Sequence, residues 1–366
     1  MINRALELAA IGRNITPPNP SVGCIIVGTD GEILGEGHTQ QVGGPHAEIM
    51  ALRAANARGM STVGATAYVT LEPCVHHGRT GPCCEALISA GIKKVIASLA
   101  DPNPLVSGRG FERLRAAGIE VKIGPGAQQS RDLNIGFFSR MIRKTPWVRM
   151  KIAASLDGQT ALLDGTSQWI TSPEARMDGH LWRARSCAIL TGIGTVPADD
   201  PQLDVRLVPS ARKPALVIVD SRLETPLNAK IFAAKRAILI YAAVPNIEKQ
   251  KALEEQGATV IYCSPENLEA PQKVDLRRML QDLAQREINE VHVEAGHKLN
   301  GSLIRDKLVD ELLIYLAPKL IGHGIGMTNL PALSRLDLAP ELDFQSIDRI
   351  GPDLCIRSRF TSQAAF

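Results

Sequence analysis

Three separated residues, His46, Cys74 and Cys83, most constrain how this chain can fold. His46 begins a helical pattern, Cys74 follows Pro73 at the end of a predicted strand, and Cys83 begins the next predicted helix. Zinc accepts imidazole nitrogen and thiolate, and three protein ligands leave a fourth position for water. A helix N-terminus also stabilises the thiolate form of cysteine. The sequence therefore predicts a zinc site where one strand end meets two helix starts.

Glu48 lies two residues after His46, in the first turn of the same predicted helix. Its carboxylate can take a proton from a water on the metal and pass it to departing ammonia without being a ligand. His-x-Glu followed by Pro-Cys and a second Cys is typical of nucleobase deaminases. The eight residues between Cys74 and Cys83 exceed the two-residue spacing of that general pattern. We expect a deaminase with Glu48 as catalytic acid and base.

Two alternatives concern the metal itself. A closed structural zinc site would need a fourth ligand, and Cys84, His76 and His77 are the nearby candidates. Cys84 is adjacent to Cys83 on a helix and points elsewhere, so we expect it to pack in the core. A non-catalytic, zinc-stabilised binding module is the other alternative, and it would tolerate Glu48→Gln.

Helix and strand patterns alternate through residues 1–125, which predicts a largely parallel sheet with helices on its faces. The predicted helices are near 2–13, 46–58, 83–90 and 110–117, and the predicted strands are near 22–27, 32–37, 65–71, 93–98 and 119–123. Gly28–Gly31 is a turn signal that makes the first two strands a hairpin.

A second domain is predicted after the Gly124–Gly126 breaker, where a new apolar strand begins at Trp147. We place the domains at 1–145 and 146–366. The predicted strands of the second domain are 147–153, 187–191, 215–220, 236–241, 258–262, 290–294, 310–318, 343–350 and 353–360, and the predicted helices are 173–185, 246–256, 275–286 and 298–307. The last three strands follow one another directly, which predicts a mixed sheet.

Net charge indicates which class of binding partner to expect, and cysteine content indicates which cellular compartment. The net charge is +3 without a long Lys/Arg run, which argues against nucleic acid and suits a small anionic substrate. The seven cysteines are odd in number and scattered, so we expect no disulfide framework and a reducing, cytoplasmic location. No stretch approaches the 18 uncharged apolar residues of a membrane span, and the N-terminus lacks the apolar core of a signal peptide.

Longer segments resemble the RibD family, the bifunctional pyrimidine deaminase/reductases of bacterial flavin synthesis. These segments are Pro18–Gly23, Gly44–Glu48, Tyr68–Arg79, Asp101–Pro104, Ala154–Gly158, Ser167–Thr171, Ala198–Pro201, Val293–Gly296 and Ala317–Lys319. The resemblance covers essentially the whole chain and includes the wide cysteine spacing. Gly81 departs from the proline of many relatives, in a loop.

The resemblance implies two α/β domains: a cytidine-deaminase-like α/β/α sandwich and a dihydrofolate-reductase-like mixed-sheet domain. It implies deamination of 2,5-diamino-6-ribosylamino-4(3H)-pyrimidinone 5′-phosphate with Zn2+, and then reduction of the ribosyl group by NADPH to give 5-amino-6-ribitylamino-uracil 5′-phosphate. It also implies a homo-oligomer, dimer or tetramer, built through the reductase domain. The predicted strands 310–318 and 343–360 offer an edge for such pairing.

The resemblance also assigns site residues. Implied substrate contacts are Asn19, Ser167, Arg183, Leu203, Arg206 and Glu294, and implied cofactor contacts are Ala153, Trp169, Thr195 and Asp199. Lys151 is a further candidate for binding the substrate phosphate, because cationic donors suit that group. Lys151 or Asp199 is available to deliver a proton to the ribose oxygen. Each charge alone fits a solvated surface equally well, as do His38, His76 and His77 at the substrate mouth.

No Gly-x-Gly-x-x-Gly follows the first strand of the second domain, so a Rossmann domain is not indicated. A glycine-containing segment instead follows the strand at Val291–Val293 and leads into a helix, where backbone amides suit a pyrophosphate. We assign to the cofactor the residues Gly296, His297, Lys298, Leu299, Asn300, Gly301 and Ser302. A plain strand-to-helix turn is the alternative. Ser221 and Arg222 are candidates for a 2′-phosphate, which favours NADPH over NADH.

One rival enzyme remains from the sequence: a deaminase of nucleosides or tRNA joined to an unrelated C-terminal domain. The near-neutral charge and the reductase-like segments of the second domain argue against it. The two enzymes differ in whether the chain oxidises NADPH in the presence of the deaminated intermediate.

Overall fold

A computed structural model describes residues 1–75, 81–104, 106–265 and 272–361. The chain divides into two units, Met1–Lys144 and Thr145–Phe366. The elements of the first unit are α1 (Ile2–Gly12), β1 (Gly23–Val27), β2 (Ile33–His38), α2 (Ala47–Ala57), β3 (Thr66–Val69), α3 (Cys83–Ser89), β4 (Lys94–Ala97), α4 (Arg109–Ala116), β5 (Glu120–Ile123), α5 (Ala127–Leu133) and α6 (Ile135–Arg143).

The strands of the first unit form one sheet in the order β2-β1-β3-β4-β5. Strands β3, β4 and β5 are parallel, whereas β1 is antiparallel to both of its neighbours. The predicted hairpin and the helix-strand alternation are confirmed, but only half of the pairings are parallel. A short turn can join only antiparallel neighbours, whereas β3, β4 and β5 are connected through α3 and α4.

Glycines let helices lie directly on both faces of this sheet. A Cβ built on Gly23 of β1 would lie 1.9 Å from the carbonyl oxygen of Ala5 in α1. A Cβ on Gly37 of β2 would lie 2.5 Å from the backbone nitrogen of Ala51 in α2. Gly37 pairs with Cys24, the neighbour of Gly23, so the two glycines face opposite sides of the sheet. This arrangement gives the predicted α/β/α layers and brings α2 close to β1 and β2.

Helices α5 and α6 were not predicted: the segment was interpreted as a polar connection, although the apolar residues of α6 recur at helical spacing. Tertiary contacts hold them in place. The Asn134 side chain accepts a hydrogen bond from the Ser21 backbone N–H at 2.7 Å and donates one to the Ser21 carbonyl at 2.9 Å. Phe137 and Phe138 are buried beside it. The segment is therefore a packed part of the first unit.

The second unit is built around a larger sheet. Its elements are β6 (Trp147–Ser155), β7 (Gln159–Ala161), α7 (Pro173–Arg185), β8 (Ala188–Gly192), α8 (Thr195–Asp199), β9 (Ala215–Val219), β10 (Ile238–Ala242), α9 (Ile247–Glu255), β11 (Ala258–Tyr262), α10 (Leu276–Gln285), β12 (Glu290–Val293), α11 (His297–Arg305), β13 (Glu311–Ala317), β14 (Ile325–Gly326), β15 (Leu342–Ile350) and β16 (Asp353–Phe360).

The nine-stranded sheet has the order β11-β10-β9-β8-β12-β6-β13-β16-β15. All pairings from β11 to β13 are parallel, and β16 is antiparallel to both β13 and β15. The predicted mixed sheet is confirmed. The short elements α8, β7 and β14 were not predicted, since two to five residues carry too little periodicity.

The two faces of the large sheet have different chemistry around β6 and β12. Met150 and Val293 face an apolar core that also contains Leu280 of α10. Because side chains alternate along a strand, Lys151 of β6 and His292 of β12 face the other side. That side carries the polar groups of the second candidate site. No helix in the described ranges is long and apolar enough to cross a bilayer.

Candidate active sites

The structure brings the three predicted zinc ligands of the first unit together. Their ligand atoms all lie within 4.8 Å of one another. The sulfurs of Cys74 and Cys83 are 3.6 and 3.4 Å from Nδ1 of His46. Two donors held tetrahedrally at ordinary Zn–N and Zn–S lengths would be about 3.6 Å apart. The chemistry and spacing of this donor set therefore fit a zinc ion with three protein ligands.

Local backbone structure places each ligand. His46 is the N-cap of α2, and its carbonyl accepts a hydrogen bond from Met50 N–H at 3.0 Å. Cys83 is the first residue of α3, and its N–H donates to the sulfur of Cys74 at 3.4 Å. The next amide, that of Cys84, donates to the Cys74 carbonyl at 3.1 Å. The start of α3 thus supports a negative charge on Cys74.

The thiols of Cys74 and Cys83 have pKa values shifted in opposite directions. The Cys83 thiol and His46 stabilise a thiolate at Cys74 and lower the pKa of Cys74 to about 4. The Cys74 thiolate and burial raise the pKa of Cys83. The hydrogen bond to Cys74 also raises the pKa of His46. Since a thiol that binds a metal is deprotonated outright, a bound zinc ion would remove this asymmetry.

Glu48 lies beside the ligands, in the first turn of α2, with 3% of its surface exposed. Burial raises the pKa of Glu48 to about 7, and the charge of Cys74 contributes to the shift. Glu48 is not part of the ligand group in the described ranges, which consists of His46, Cys74 and Cys83. Its location suits a group that exchanges protons with a substrate beside the metal.

Cys84 is directed away from the ligands, as expected. It is fully buried, and its thiol donates to the carbonyl oxygens of Pro73 at 3.2 Å and Gly110 at 3.5 Å. The closed structural site therefore loses Cys84 as a fourth ligand. The other two candidates, His76 and His77, lie outside the described residues.

The remaining residues discussed for the first site lie before β1, at the end of β2 and before α3. Asn19 is half-buried in the segment between α1 and β1, and its backbone N–H donates to the Thr16 carbonyl. His38 ends β2, with Nδ1 at 3.0 Å from the Thr39 carbonyl. Gly81 has open space where a Cβ would point, so nothing near that position requires glycine in place of the proline of many relatives. The substrate contacts of Asn19 and His38 stay predictions.

The second unit contains a cluster of charged residues centred on Glu294, directly after β12. Arg183 of α7 donates to both carboxylate oxygens of Glu294, and Lys151 Nζ lies 3.7 Å from Oε2. Burial opposes the charge of Glu294, but Arg183 and Lys151 outweigh it and lower the pKa of Glu294 well below its ordinary value. The structure thus brings together three of the predicted substrate-site residues.

Lys151 has an unusual environment for a lysine. Its ammonium lies 6.0 Å from the ring centroid of Tyr315 on β13. Burial lowers the pKa of Lys151; Glu294 opposes the shift, and Arg183 adds to it. A partly desolvated lysine with a lowered pKa gives up its proton more readily than a surface lysine.

Two histidines of this cluster were missed in the sequence. His292 is fully buried on β12, with Nε2 3.4 Å from Glu294 Oε1. His180 is buried on α7, with Nε2 3.4 Å from Arg183 Nη1. Their spacing was the available signal, because residues two apart on a strand and three apart on a helix share a face.

The segment after α8 carries two more predicted substrate residues. The backbone N–H of Arg206 donates to His180 Nδ1 at 3.3 Å, and the Arg206 side chain donates to Asp204 at 2.6 Å. Leu203 is buried with φ +49°, and its carbonyl accepts a hydrogen bond from Arg236. Leu203 therefore offers a ligand mainly its backbone, whereas the Arg206 side chain is partly exposed.

The predicted glycine-containing segment starts α11. Gly296 is the N-cap, and a Cβ built on it would lie 3.9 Å from Oγ1 of Thr195, the first residue of α8. Asn300 donates to the Met327 carbonyl at 3.2 Å, and Gly301 packs against the backbone of Asn329. The exposed part of the segment is therefore its beginning, at residues 296 and 298, while residues 300 and 301 are buried.

The other predicted cofactor residues, Asp199, Trp169 and Ala153, lie at separate places in the second unit, and the predicted substrate residue Ser167 contacts the first of them. Ser167 donates to Asp199, at the end of α8, at 3.3 Å. Trp169 is 62% exposed, with the Arg176 guanidinium 4.5 Å from its ring centroid. Ala153 lies two residues after Lys151 on β6 and is half-buried. Asp199, Trp169 and Ala153 stay predictions as cofactor contacts, and Ser167 stays a prediction as a substrate contact.

Ser221 lies just after β9 and already has hydrogen-bond partners within the second unit. Its hydroxyl accepts a hydrogen bond from Val274 N–H at 3.3 Å, and its carbonyl accepts the amides of Ala243 and Val244. Arg222 donates to Gln272 at 2.9 Å. A phosphate bound here would share or replace these partners.

Two protein-family models match this chain. Residues 1–99 match the cytidine and deoxycytidylate deaminase zinc-binding region, and residues 146–356 match the RibD C-terminal domain. The first match contains the three predicted zinc ligands, and the second contains the Glu294 cluster.

Individual relatives match over nearly the full length. The riboflavin biosynthesis proteins RibD of Escherichia coli and Aquifex aeolicus are 46% and 39% identical, each over 96% of this chain and 96% and 95% of the relative. A solved structure of Acinetobacter baumannii RibD is 39% identical with a TM-score of 0.88 and covers 98% of each chain. The Thermotoga maritima diaminohydroxyphosphoribosylaminopyrimidine deaminase/5-amino-6-(5-phosphoribosylamino)uracil reductase is 32% identical with a TM-score of 0.86, covering 98% of this chain and 97% of that one.

Proposed function

Because this chain belongs to the RibD family of riboflavin biosynthesis proteins, we propose that it catalyses two consecutive reactions of that pathway. Residues 1–145 deaminate 2,5-diamino-6-ribosylamino-4(3H)-pyrimidinone 5′-phosphate. Residues 146–366 then reduce the ribosyl group with NADPH to give 5-amino-6-ribitylamino-uracil 5′-phosphate. The observation that carries this proposal is the ligand set His46, Cys74 and Cys83 beside the buried Glu48, on a chain that also holds the Glu294 cluster.

The first reaction rests on the chain's own residues around the metal position. His46, Cys74 and Cys83 hold zinc, which supplies Lewis-acid activation of water when bound. Glu48 accepts a proton as water adds to the pyrimidine carbon and donates it to the departing ammonia. Its location outside the ligand group leaves its carboxylate available for this exchange. Asn19 contacts the pyrimidine from the segment before β1.

The second reaction needs a sugar carbon positioned against the hydride-donating carbon of the cofactor. Arg183, Arg206 and Ser167 bind the phosphate and sugar of the substrate, helped by the Leu203 backbone and by Glu294. Lys151 is the proton donor to the ribose oxygen, because it is partly buried at the cluster and its pKa is lowered. Asp199 is the weaker candidate, since it is exposed at the end of α8 and accepts from Ser167.

The cofactor lies along the starts of α8 and α11. The paired positions Thr195 and Gly296 support this arrangement, because they place two helix starts side by side. Backbone amides at a helix N-terminus favour a pyrophosphate. Ala153 and Trp169 contact the nicotinamide half, and Ser221 contacts the 2′-phosphate that distinguishes NADPH.

A homo-oligomer is proposed through β15, the edge strand of the large sheet. Phe344 and Ile347 of this strand are exposed, and an unpaired strand edge is a ready site for a second copy. Light scattering of the purified protein separates dimer from tetramer, and a monomer would contradict the proposal. A cytoplasmic location is proposed because all seven cysteines are buried and unpaired.

A coupled assay tests the proposed function. The diaminopyrimidinone phosphate, zinc and NADPH are supplied to the full chain, and ammonia and NADPH consumption are followed separately. We expect ammonia release first and NADPH oxidation that depends on the deaminated intermediate. Ammonia release without NADPH oxidation would contradict the second activity and with it the bifunctional function.

A further inference from the structure

Glu72 occupies a position that the deaminase chemistry does not use. It is 4% exposed and lies two residues before the ligand Cys74. Its Oε2 accepts the amides of Asp101 at 3.1 Å and Gly108 at 2.9 Å, and its Oε1 accepts the amides of Gly110 at 2.8 Å and Phe111 at 3.4 Å. One buried carboxylate thus collects four backbone donors from residues 29 to 39 positions later.

Two of these donors belong to the first turn of α4. Helix starts leave several N–H groups without partners, and a capping side chain normally satisfies one of them. The N-cap of α4 is Gly108, which has no side chain to do this. Glu72 therefore caps α4 from the segment that follows β3, and the start of α4 is tied to the residues that lead into Cys74.

Pro73, the residue between Glu72 and Cys74, is held in place through its carbonyl oxygen. The Cys84 thiol donates to the Pro73 carbonyl at 3.2 Å, and Cys84 follows the ligand Cys83. A Cβ built on Gly110 would lie 2.2 Å from the same carbonyl oxygen, so α4 packs directly against it. We name the Glu72 carboxylate and the Cys84 thiol, both acting around Pro73, the Pro73 clamp.

Each group of the Pro73 clamp is close in sequence to one cysteine ligand. Glu72 lies two residues before Cys74, and Cys84 directly follows Cys83. The ring of Pro73 fixes its φ angle, so fewer backbone rotations are available to absorb a shift of Glu72 before it reaches Cys74. Cys84 is joined to Cys83 by one peptide bond and also donates its amide to the Cys74 carbonyl. Groups that orient metal ligands without touching the metal commonly affect its affinity.

We propose that the Pro73 clamp is a positioning device of the zinc site, which sets the location of Cys74 relative to Cys83. This inference rests on the proposed zinc-dependent function of the first unit. Glu72 contacts neither the ligand atoms nor Glu48 through any hydrogen bond of the described residues, so it acts through the backbone.

The test compares Glu72→Gln with Glu85→Gln in the full-length protein. The glutamine amide that replaces the Glu72 carboxylate has one acceptor oxygen, and its NH2 group would face two of the amide donors. Glu85 lies on α3 two residues after Cys83, and its carboxylate pairs with Arg113 in an exposed contact. Both variants lose one negative charge, but only the first removes a clamp group.

Zinc affinity is measured by competition with a chromophoric chelator, and the cobalt-substituted proteins are compared by their thiolate absorption bands. We expect Glu72→Gln to bind zinc about 10- to 100-fold more weakly and to shift those bands. Glu85→Gln should match the unaltered protein in both measurements. NADPH oxidation with the deaminated substrate should be unchanged in all proteins and reports on the second unit.

Equal zinc affinity and equal cobalt spectra for the two variants would overturn the inference, even if Glu72→Gln lowers the unfolding temperature. If Glu72→Gln does not fold, the zinc affinities of Cys84→Ala and Cys84→Ser test the inference instead. Serine keeps a donor for the Pro73 carbonyl, so it should retain zinc better than alanine, and equal retention would overturn the inference. An unaltered protein that neither binds zinc nor releases ammonia would instead contradict the proposed function.

Discussion

Arg183 donates two parallel hydrogen bonds to the carboxylate of Glu294, one from Nε and one from Nη2. The pair joins α7 to the end of β12 across 111 residues of sequence. Lys151 lies on the same carboxylate, so the cluster carries one net positive charge. A site with one excess cation and a partly exposed arginine nearby suits a phosphorylated sugar.

Removing Arg183 should cost both stability and substrate binding. Arg183→Met leaves the mostly buried Glu294 carboxylate with Lys151 as its remaining cation, and we expect the free energy of unfolding to fall by about 3 kcal/mol. The double variant Arg183→Met/Glu294→Gln removes the uncompensated charge and should recover part of this loss. Urea unfolding of the single and double variants measures it. Equal free energies of unfolding for the single and the double variant would show that the Glu294 carboxylate does not destabilise the fold when Arg183 is absent.

Glu48→Gln should abolish deamination while retaining zinc. The amide cannot carry the proton from water to ammonia, so we expect the rate of ammonia release to fall about 10²- to 10⁴-fold. Metal content by atomic emission and ammonia release are measured together, with Glu85→Gln as the charge-matched control. Unchanged ammonia release would favour the non-catalytic zinc module.

Lys151→Met should slow the reduction without weakening cofactor binding. Methionine keeps the length and apolar contacts of lysine but carries no proton, so we expect kcat of the reductase step to fall about 100-fold. NADPH affinity is measured by fluorescence titration. Lys251→Met, on the exposed side of α9, is the control. A normal reduction rate with Lys151→Met would remove Lys151 from the mechanism.

His180 should make the stability of the protein depend on pH. Burial, Arg183 and Arg206 lower the pKa of His180 from 6.5 to about 4. Because the folded pKa lies below the unfolded one, the contribution is fully present above about pH 6.5 and is lost as pH falls through about 4. Protonation would also break the Arg206 N–H bond to Nδ1.

His180→Asn removes the titrating group and should therefore flatten the pH dependence of the unfolding free energy between about pH 6.5 and pH 4. Denaturant unfolding at a series of pH values, in both proteins, measures the slope. Other groups titrate between these pH values in both proteins, so their contributions cancel when the two unfolding free energies are subtracted at each pH. Identical slopes would show that His180 does not carry the effect.

Much of the first site was predictable because its elements are local. His46 and Glu48 share one helical turn, and Cys83 opens a helix whose start is marked by Pro82. The strand-Pro-Cys order and the helix starts are read from neighbouring residues. The mixed sheet was likewise predictable, since directly consecutive strands at the end of the chain favour antiparallel pairing.

Contacts between distant segments were not predictable in this way. The four amides that reach Glu72 come from a separate part of the chain, and the pairing of Arg183 with Glu294 joins α7 to the residue after β12. The contact of Asn134, between α5 and α6, with Ser21 is of the same kind, whereas the apolar spacing of α6 was a local signal that was missed.

The sequence by itself predicted the zinc ligands and the proton-transferring glutamate, and it determined the α/β pattern of both domains and the mixed sheet. Only the tertiary structure decided that Cys84 serves Pro73, that Glu72 caps α4, and that Lys151 rather than Asp199 lies against Glu294. The physical reason is the range of each signal. Periodicity and capping act over a few residues along the chain, whereas burial, desolvation and charge pairing depend on which strands and helices become neighbours.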